Sequence, residues 1–115
     1  MGGLNATERR AQAALERDLL ACILALSGHD GVAPAERVEQ AMGYYRHAAA
    51  DNPVQQLLGR RLRAAVANLA ERGWLDPAAP ANTFRATPAG RAAIVARRRP
   101  WWQRLAALRH PVPDR

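Results

Sequence analysis

Residues 62–76 read LRAAVANLAERGWLD, and after a short gap residues 83–93 read TFRATPAGRAA. Leu62, Ala65, Val66 and Leu69 recur at the three- and four-residue spacing that places them on one face of a helix. Gly73 suits the left-handed conformation that ends such a helix, and Trp74 is placed to fold back on its last turn. Trp74-Leu75 then predicts one short strand and Thr83–Thr87 another, with Phe84 and Ala86 inward and Thr83, Arg85 and Thr87 outward. Between the strands, DPAAPAN is a proline-broken hairpin tip. Thr87 with Pro88 behind it predicts the cap and first turn of a new helix, which carries Ala92, Ile94 and Val95 into Arg97-Arg98-Arg99.

Upstream, Asp51 or Asn52 is a cap with Pro53 as first helical residue, and Val54, Leu58 and Leu62 extend the apolar stripe back to that point. Residues 44–52, YYRHAAADN, fit an extra helical turn, a short strand at Tyr44-Tyr45 or an irregular loop. Pro34, with Glu36 behind it, opens a short helix carrying Val38, Ala41 and Met42, which Gly43 terminates. Asn5 and Glu8 form a capping-box pair for a first helix running to Ser27, where Gly28 ends it. On that helix Leu15, Leu19, Cys22, Ile23 and Leu26 share one face while Leu20 and Leu24 occupy another, which predicts cover on two sides.

The side of the third helix opposite its apolar stripe displays Gln56, Arg60, Arg63, Ala64, Ala67 and Glu71, with Arg61 and Asn68 at the margin. Small residues let a partner approach the backbone, and Arg and Gln supply contacts to phosphates and base edges. An ordinary solvated helix face has the same composition. Charge tips the balance: residues 1–50 carry five Arg against six acids, whereas residues 51–115 carry twelve Arg against four. The whole excess, +7 over the chain, lies in the second half, as a polyanionic partner would select. The arginines upstream of Gly73 are expected to form one continuous outward ridge.

Helix, short helix, long amphipathic helix, hairpin, helix is the layout of a winged helix. LRAAVANLAERGWLD with FRATPAGRAA resembles the recognition-helix-and-wing segment of bacterial winged-helix DNA-binding proteins, and is most similar to the N-terminal winged-helix domain of Mrr-type restriction proteins. The resemblance spans roughly residues 15–96. It implies a mainly α fold with a small β-hairpin wing, a winged helix-turn-helix that binds double-stranded DNA as a regulator or accessory factor. The third helix would enter the major groove with Gln56, Arg60, Arg61, Arg63 and Asn68, and Arg85 would sit on the wing. Two departures stand out. Residues 77–82 hold no Arg or Lys, and no Ser or Thr cap precedes Arg61. Both suit the competing reading, a winged helix that binds a protein partner such as a phage, defence or secretion component. The nuclease domain of restriction proteins is not among these residues, so no nuclease activity is carried over.

Residues 1–99 are thus read as the winged-helix domain and 100–115 as a C-terminal amphipathic helix and tail. Pro100 breaks the preceding helix, after which Trp101, Leu105 and Leu108 return at helical spacing beside Trp102. This face has three candidate occupants: its own domain at Leu20 and Leu24, a second copy in a two-fold dimer, or a membrane surface, for which a turn and a half of apolar face is thin.

The longest apolar segment, Leu19–Leu26, is too short to cross a bilayer, and the N-terminus shows no secretory pattern, so a cytoplasmic protein is expected. Cys22 is the single cysteine and reads as a small apolar side chain. His29, His47 and His110 lack ligand spacing, and no phosphate loop or nucleophile elbow is present. No enzyme activity, metal or cofactor is expected.

Overall fold

A computed structural model describes residues 5–98. The order of elements is α1 (Ala6–Leu26), β1 (Val32–Pro34), α2 (Ala35–Ala41), a 3₁₀ helix (Arg46–Asp51), α3 (Pro53–Glu71), β2 (Thr83–Arg85) and α4 (Pro88–Arg98). The chain is mainly helical with a small antiparallel sheet.

Local chemistry sets most boundaries. The Asn5 side chain accepts from the Glu8 N–H at 2.8 Å while the Asn5 N–H donates to the Glu8 carboxylate at 3.1 Å, closing the capping box of α1. Asn52 accepts from the N–H groups of Val54 and Gln55 with Pro53 in the first turn, so α3 starts where two orphan donors find an acceptor. At the other end Gly73 adopts φ 78°, the Trp74 N–H donates to the Leu69 carbonyl at 2.9 Å and the Gly73 N–H to that of Ala70 at 3.0 Å. This paired reversal is the Schellman geometry, which needs a residue free to enter the left-handed region. Gly43 ends α2 in the same way, through Tyr44 to Glu39 and Gly43 to Gln40.

α1 crosses the molecule and packs against α2, α3, α4 and both strands. Its Leu19, Leu20 and Ile23 meet Val38 of α2, Leu62, Ala65 and Leu69 of α3, and Ile94 of α4 in one buried cluster. Each fully buried leucine or isoleucine contributes about 1.5–3 kcal/mol relative to exposure, so this cluster is the main source of stability. Leu20 is completely buried, as expected of a helix covered on two sides.

Two expectations need correction. The sequence reads Pro34 as opening the short helix, but α2 starts at Ala35, and Val32–Pro34 form a strand paired with Thr83–Arg85 in the register Val32↔Arg85, Ala33↔Phe84, Pro34↔Thr83. The expected hairpin arm at Trp74-Leu75 contributes a single bridge, Leu75↔Ala86, with the Asp76 N–H donating to Arg85 and the Thr87 N–H to Trp74. β2 thus pairs mainly with β1, because Pro77 and Pro80 shorten the other arm. Second, Val54 is 72% exposed and Leu57 43%. The first turn of α3 overhangs the core, and its apolar stripe meets the core from Leu58 onward. Residues 44–52 resolve into the extra helical turn, of 3₁₀ type. Trp101, Trp102, Leu105 and Leu108 lie outside the described residues.

The restart at Thr87 is a compact joint. Its hydroxyl donates to the Gly73 carbonyl at 2.6 Å and accepts from the Gly90 N–H at 3.1 Å, so one side chain links the end of α3 to the start of α4. Gly90 lies against the Trp74 backbone so closely that a Cβ would overlap its carbonyl oxygen.

Candidate nucleic-acid interface

The site is carried by α3, whose entry is fixed by two glutamines. Gln55 accepts from the Tyr45 N–H at 2.7 Å and donates to the Gly43 carbonyl at 2.9 Å, bracing the connection from α2. Gln56 donates to the Ala50 carbonyl at 3.1 Å, so its side chain is anchored to the 3₁₀ helix while the residue stays exposed.

With Leu62, Ala65 and Leu69 buried, the opposite side of α3 exposes Arg60, Arg61, Arg63, Ala64, Ala67 and Glu71. None of the three arginines has an ion-pair partner among the described residues. They do not form a single line. Two positions along a helix correspond to about 200° of rotation, so Arg61 and Arg63 flank the exposed face on opposite sides, with Arg60 between them. Arg60 and Arg61 border a groove against α1 floored by Leu15 and Leu58, and the Arg61 carbonyl accepts from Gln12 at 3.1 Å. Arg63 borders a separate cavity toward Tyr44 and Phe84. The expected ridge is therefore a broad cationic face.

Asn68 is not part of that face. Its amide donates to Glu16 Oε2 at 2.7 Å, and Arg72 Nη1 stands 3.0 Å from Oε1 as an ion pair without hydrogen-bond alignment. Glu16 is 2% exposed, so Asn68 and Arg72 compensate a buried carboxylate between α1 and α3. Arg72 also lies over the Trp74 ring, 5.4 Å from its centroid. Glu16 lies in line with Leu19, Leu20 and Ile23 on the buried face of α1, and what the sequence hid is its partners, which come from another helix.

Arg85 is also engaged. Its guanidinium donates to Asp76 at 3.2 Å across the loop base, and Asp76 accepts from the Ala78 N–H at 2.8 Å. The Ala78 N–H, with Arg85 second, holds the Asp76 carboxyl below the usual carboxylate range. The loop beyond carries no cation, and the Asn82 carbonyl binds the Ala35 N–H at 2.8 Å, tying the loop to the start of α2. Of the six predicted contact residues, then, α3 presents Gln56, Arg60, Arg61 and Arg63, while Asn68 and Arg85 are held by internal acids.

Among the described residues no group of three His, Cys, Asp or Glu side chains is placed to hold a metal, and no helix is long and apolar enough to cross a membrane. Comparison of the chain with protein-family models, curated proteins and solved structures gives no match.

Proposed function

We propose that the chain is a winged helix that binds double-stranded DNA, laying the outward face of α3 in the major groove. The observation carrying this reading is the set of Arg60, Arg61 and Arg63, exposed and without ion-pair partners among the described residues, around the small side chains Ala64 and Ala67. A cation already paired to a carboxylate would have to give up that partner to reach a phosphate; these three do not. Their spread over the face suits a groove, which places phosphates on both sides of an inserted helix and base edges beneath it. The succession of helix, strand, helix, long helix, strand and helix supports the winged layout, with the loop at residues 76–82 as the wing. That loop serves position more than charge, since its base pairs Asp76 with Arg85.

The competing reading, a protein-binding winged helix, is favoured by the same uncharged loop and by exposed Val54 and Leu57 at the start of α3.

Titration of a labelled duplex at several salt concentrations separates the two. Each phosphate contact adds about 0.9 to the steepness of log K against log salt, so changing Arg60, Arg61 and Arg63 to Ala flattens the slope by roughly 2–3 if all three touch phosphates. Alanine keeps helix propensity at these exposed positions, and a cooperative melt checks the variant's fold. Absence of duplex binding by wild type at low salt would transfer the face to a protein partner.

A further inference from the structure

Between α3, α2 and β2 lies a half-open cavity of about 190 Å³. Leu19, Leu62, Val66 and Phe84 supply its apolar surface, and Tyr44 forms one wall. That wall exists because residue 59 is glycine: a Cβ there would sit 2.8 Å from the Tyr44 ring. A mid-helix glycine costs helix propensity, and here it lets an aromatic ring lie directly on the α3 backbone.

The charges at the cavity are unequal in availability. Glu39 lines it, but both carboxylate oxygens accept from Arg46, at 2.6 and 3.1 Å, so that acid is neutralised. Arg63 lines it too, exposed and with no ion-pair partner among the described residues. With Glu39 answered by Arg46, Arg63 is the one lining charge left without an ion-pair partner among the described residues, beside an apolar hollow. A cavity of roughly 150 Å³ with walls of this kind holds a benzene ring, so this one has room for a ring with its head group at Arg63.

We infer that the cavity binds a small monocarboxylate with an aromatic or branched aliphatic body, the body against Leu62, Val66 and Phe84 and the carboxylate on the Arg63 guanidinium. A planar fork of N–H donors suits a carboxylate, and a dianion would exceed the one charge on offer. The site goes beyond DNA binding, and its regulatory consequence rests on that reading: Arg63 cannot hold a carboxylate and a phosphate together, so the ligand would weaken duplex binding.

The test is calorimetric titration of DNA-free protein with benzoate, beside benzyl alcohol as the uncharged analogue. Benzoate is expected to saturate with a Kd of roughly 1 mM or tighter, with benzyl alcohol about tenfold weaker or more. Arg63→Gln, at an exposed position, should weaken benzoate about tenfold, while Arg17→Gln on the exposed side of α1 leaves it unchanged. Val66→Phe should abolish binding by filling the hollow, with a cooperative melt confirming its fold. Absence of saturation, equal affinity for benzyl alcohol, or an Arg63→Gln variant indistinguishable from wild type would each overturn the assignment. Because no DNA is present, failure of duplex binding leaves this titration intact, and failure of the titration leaves duplex binding intact.

Discussion

Gly90→Ala is the most informative single change for the fold. The added methyl falls inside the van der Waals envelope of the Trp74 carbonyl oxygen and 3.2 Å from both its carbonyl carbon and its Cβ. The obstacle is backbone, so no rotamer change relieves it. If the start of α4 backs away, it stretches the Thr87 N–H bond to the Trp74 carbonyl, 3.0 Å, and the Thr87 hydroxyl bond to Gly73, 2.6 Å. Overpacking of this kind costs about 1–3 kcal/mol, and each weakened hydrogen bond about 1 kcal/mol. The gain in helix propensity from glycine to alanine offsets at most about 1 kcal/mol. The net expectation is a loss of about 2–4 kcal/mol, which for a domain of this size lowers Tm by roughly 10–30 °C. Circular dichroism melts and urea titrations of wild type and variant measure it. A variant as stable as wild type, or more so, would refute the docking of the Thr87–Gly90 turn on Trp74 and with it the placement of α4.

Three further outcomes follow from the same reasoning. Asn68→Ala removes the 2.7 Å donor to the buried Glu16 carboxylate and should cost about 2 kcal/mol in urea denaturation, more than an outward Asn would. The Asp76 carboxyl, its pKa depressed in the folded chain, adds stability that is complete above the ordinary Asp value of about 4 and lost as pH falls through the lower folded value. Carbon-detected NMR should show its midpoint moving only part of the way up in Arg85→Gln, because the Ala78 N–H remains. Asn82 adopts φ 60°, so Asn82→Ala should lower stability by about 1–2 kcal/mol while Asn82→Gly stays near wild type in a thermal melt.

What the sequence disclosed was local. The Asn5–Glu8 box, the Asn52-Pro53 start, the stops at Gly43 and Gly73 and the Thr87-Pro88 restart each rest on residues within one turn of one another. All appear at the expected positions. Features hidden from the sequence depend on pairing between distant segments. Val32–Pro34 is a strand only because Thr83–Arg85 lies beside it, and three residues ending in proline have no period to detect. A helical wheel sets Asn68 at the margin of the outer face of α3 and Glu16 in line with Leu19, Leu20 and Ile23, but it does not show that the two side chains meet. Val54 fits the apolar period of α3 yet is exposed, since it lies beyond the buried cluster, which α3 first meets at Leu58. For the candidate interface, the sequence placed Arg60, Arg61 and Arg63 outward but missed their separation into two flanks and a crest, and the two acids that hold Asn68 and Arg85.

The claim on which the functional account depends is that the outward face of α3 is the surface that meets DNA. Amide spectra of isotopically labelled protein, recorded while a duplex is added at low salt, locate that surface directly. The account predicts that the largest shifts cluster at Gln56, Arg60, Arg63, Ala64 and Ala67. Shifts confined to α1 or α2, or an unchanged spectrum with duplex in excess, would contradict it.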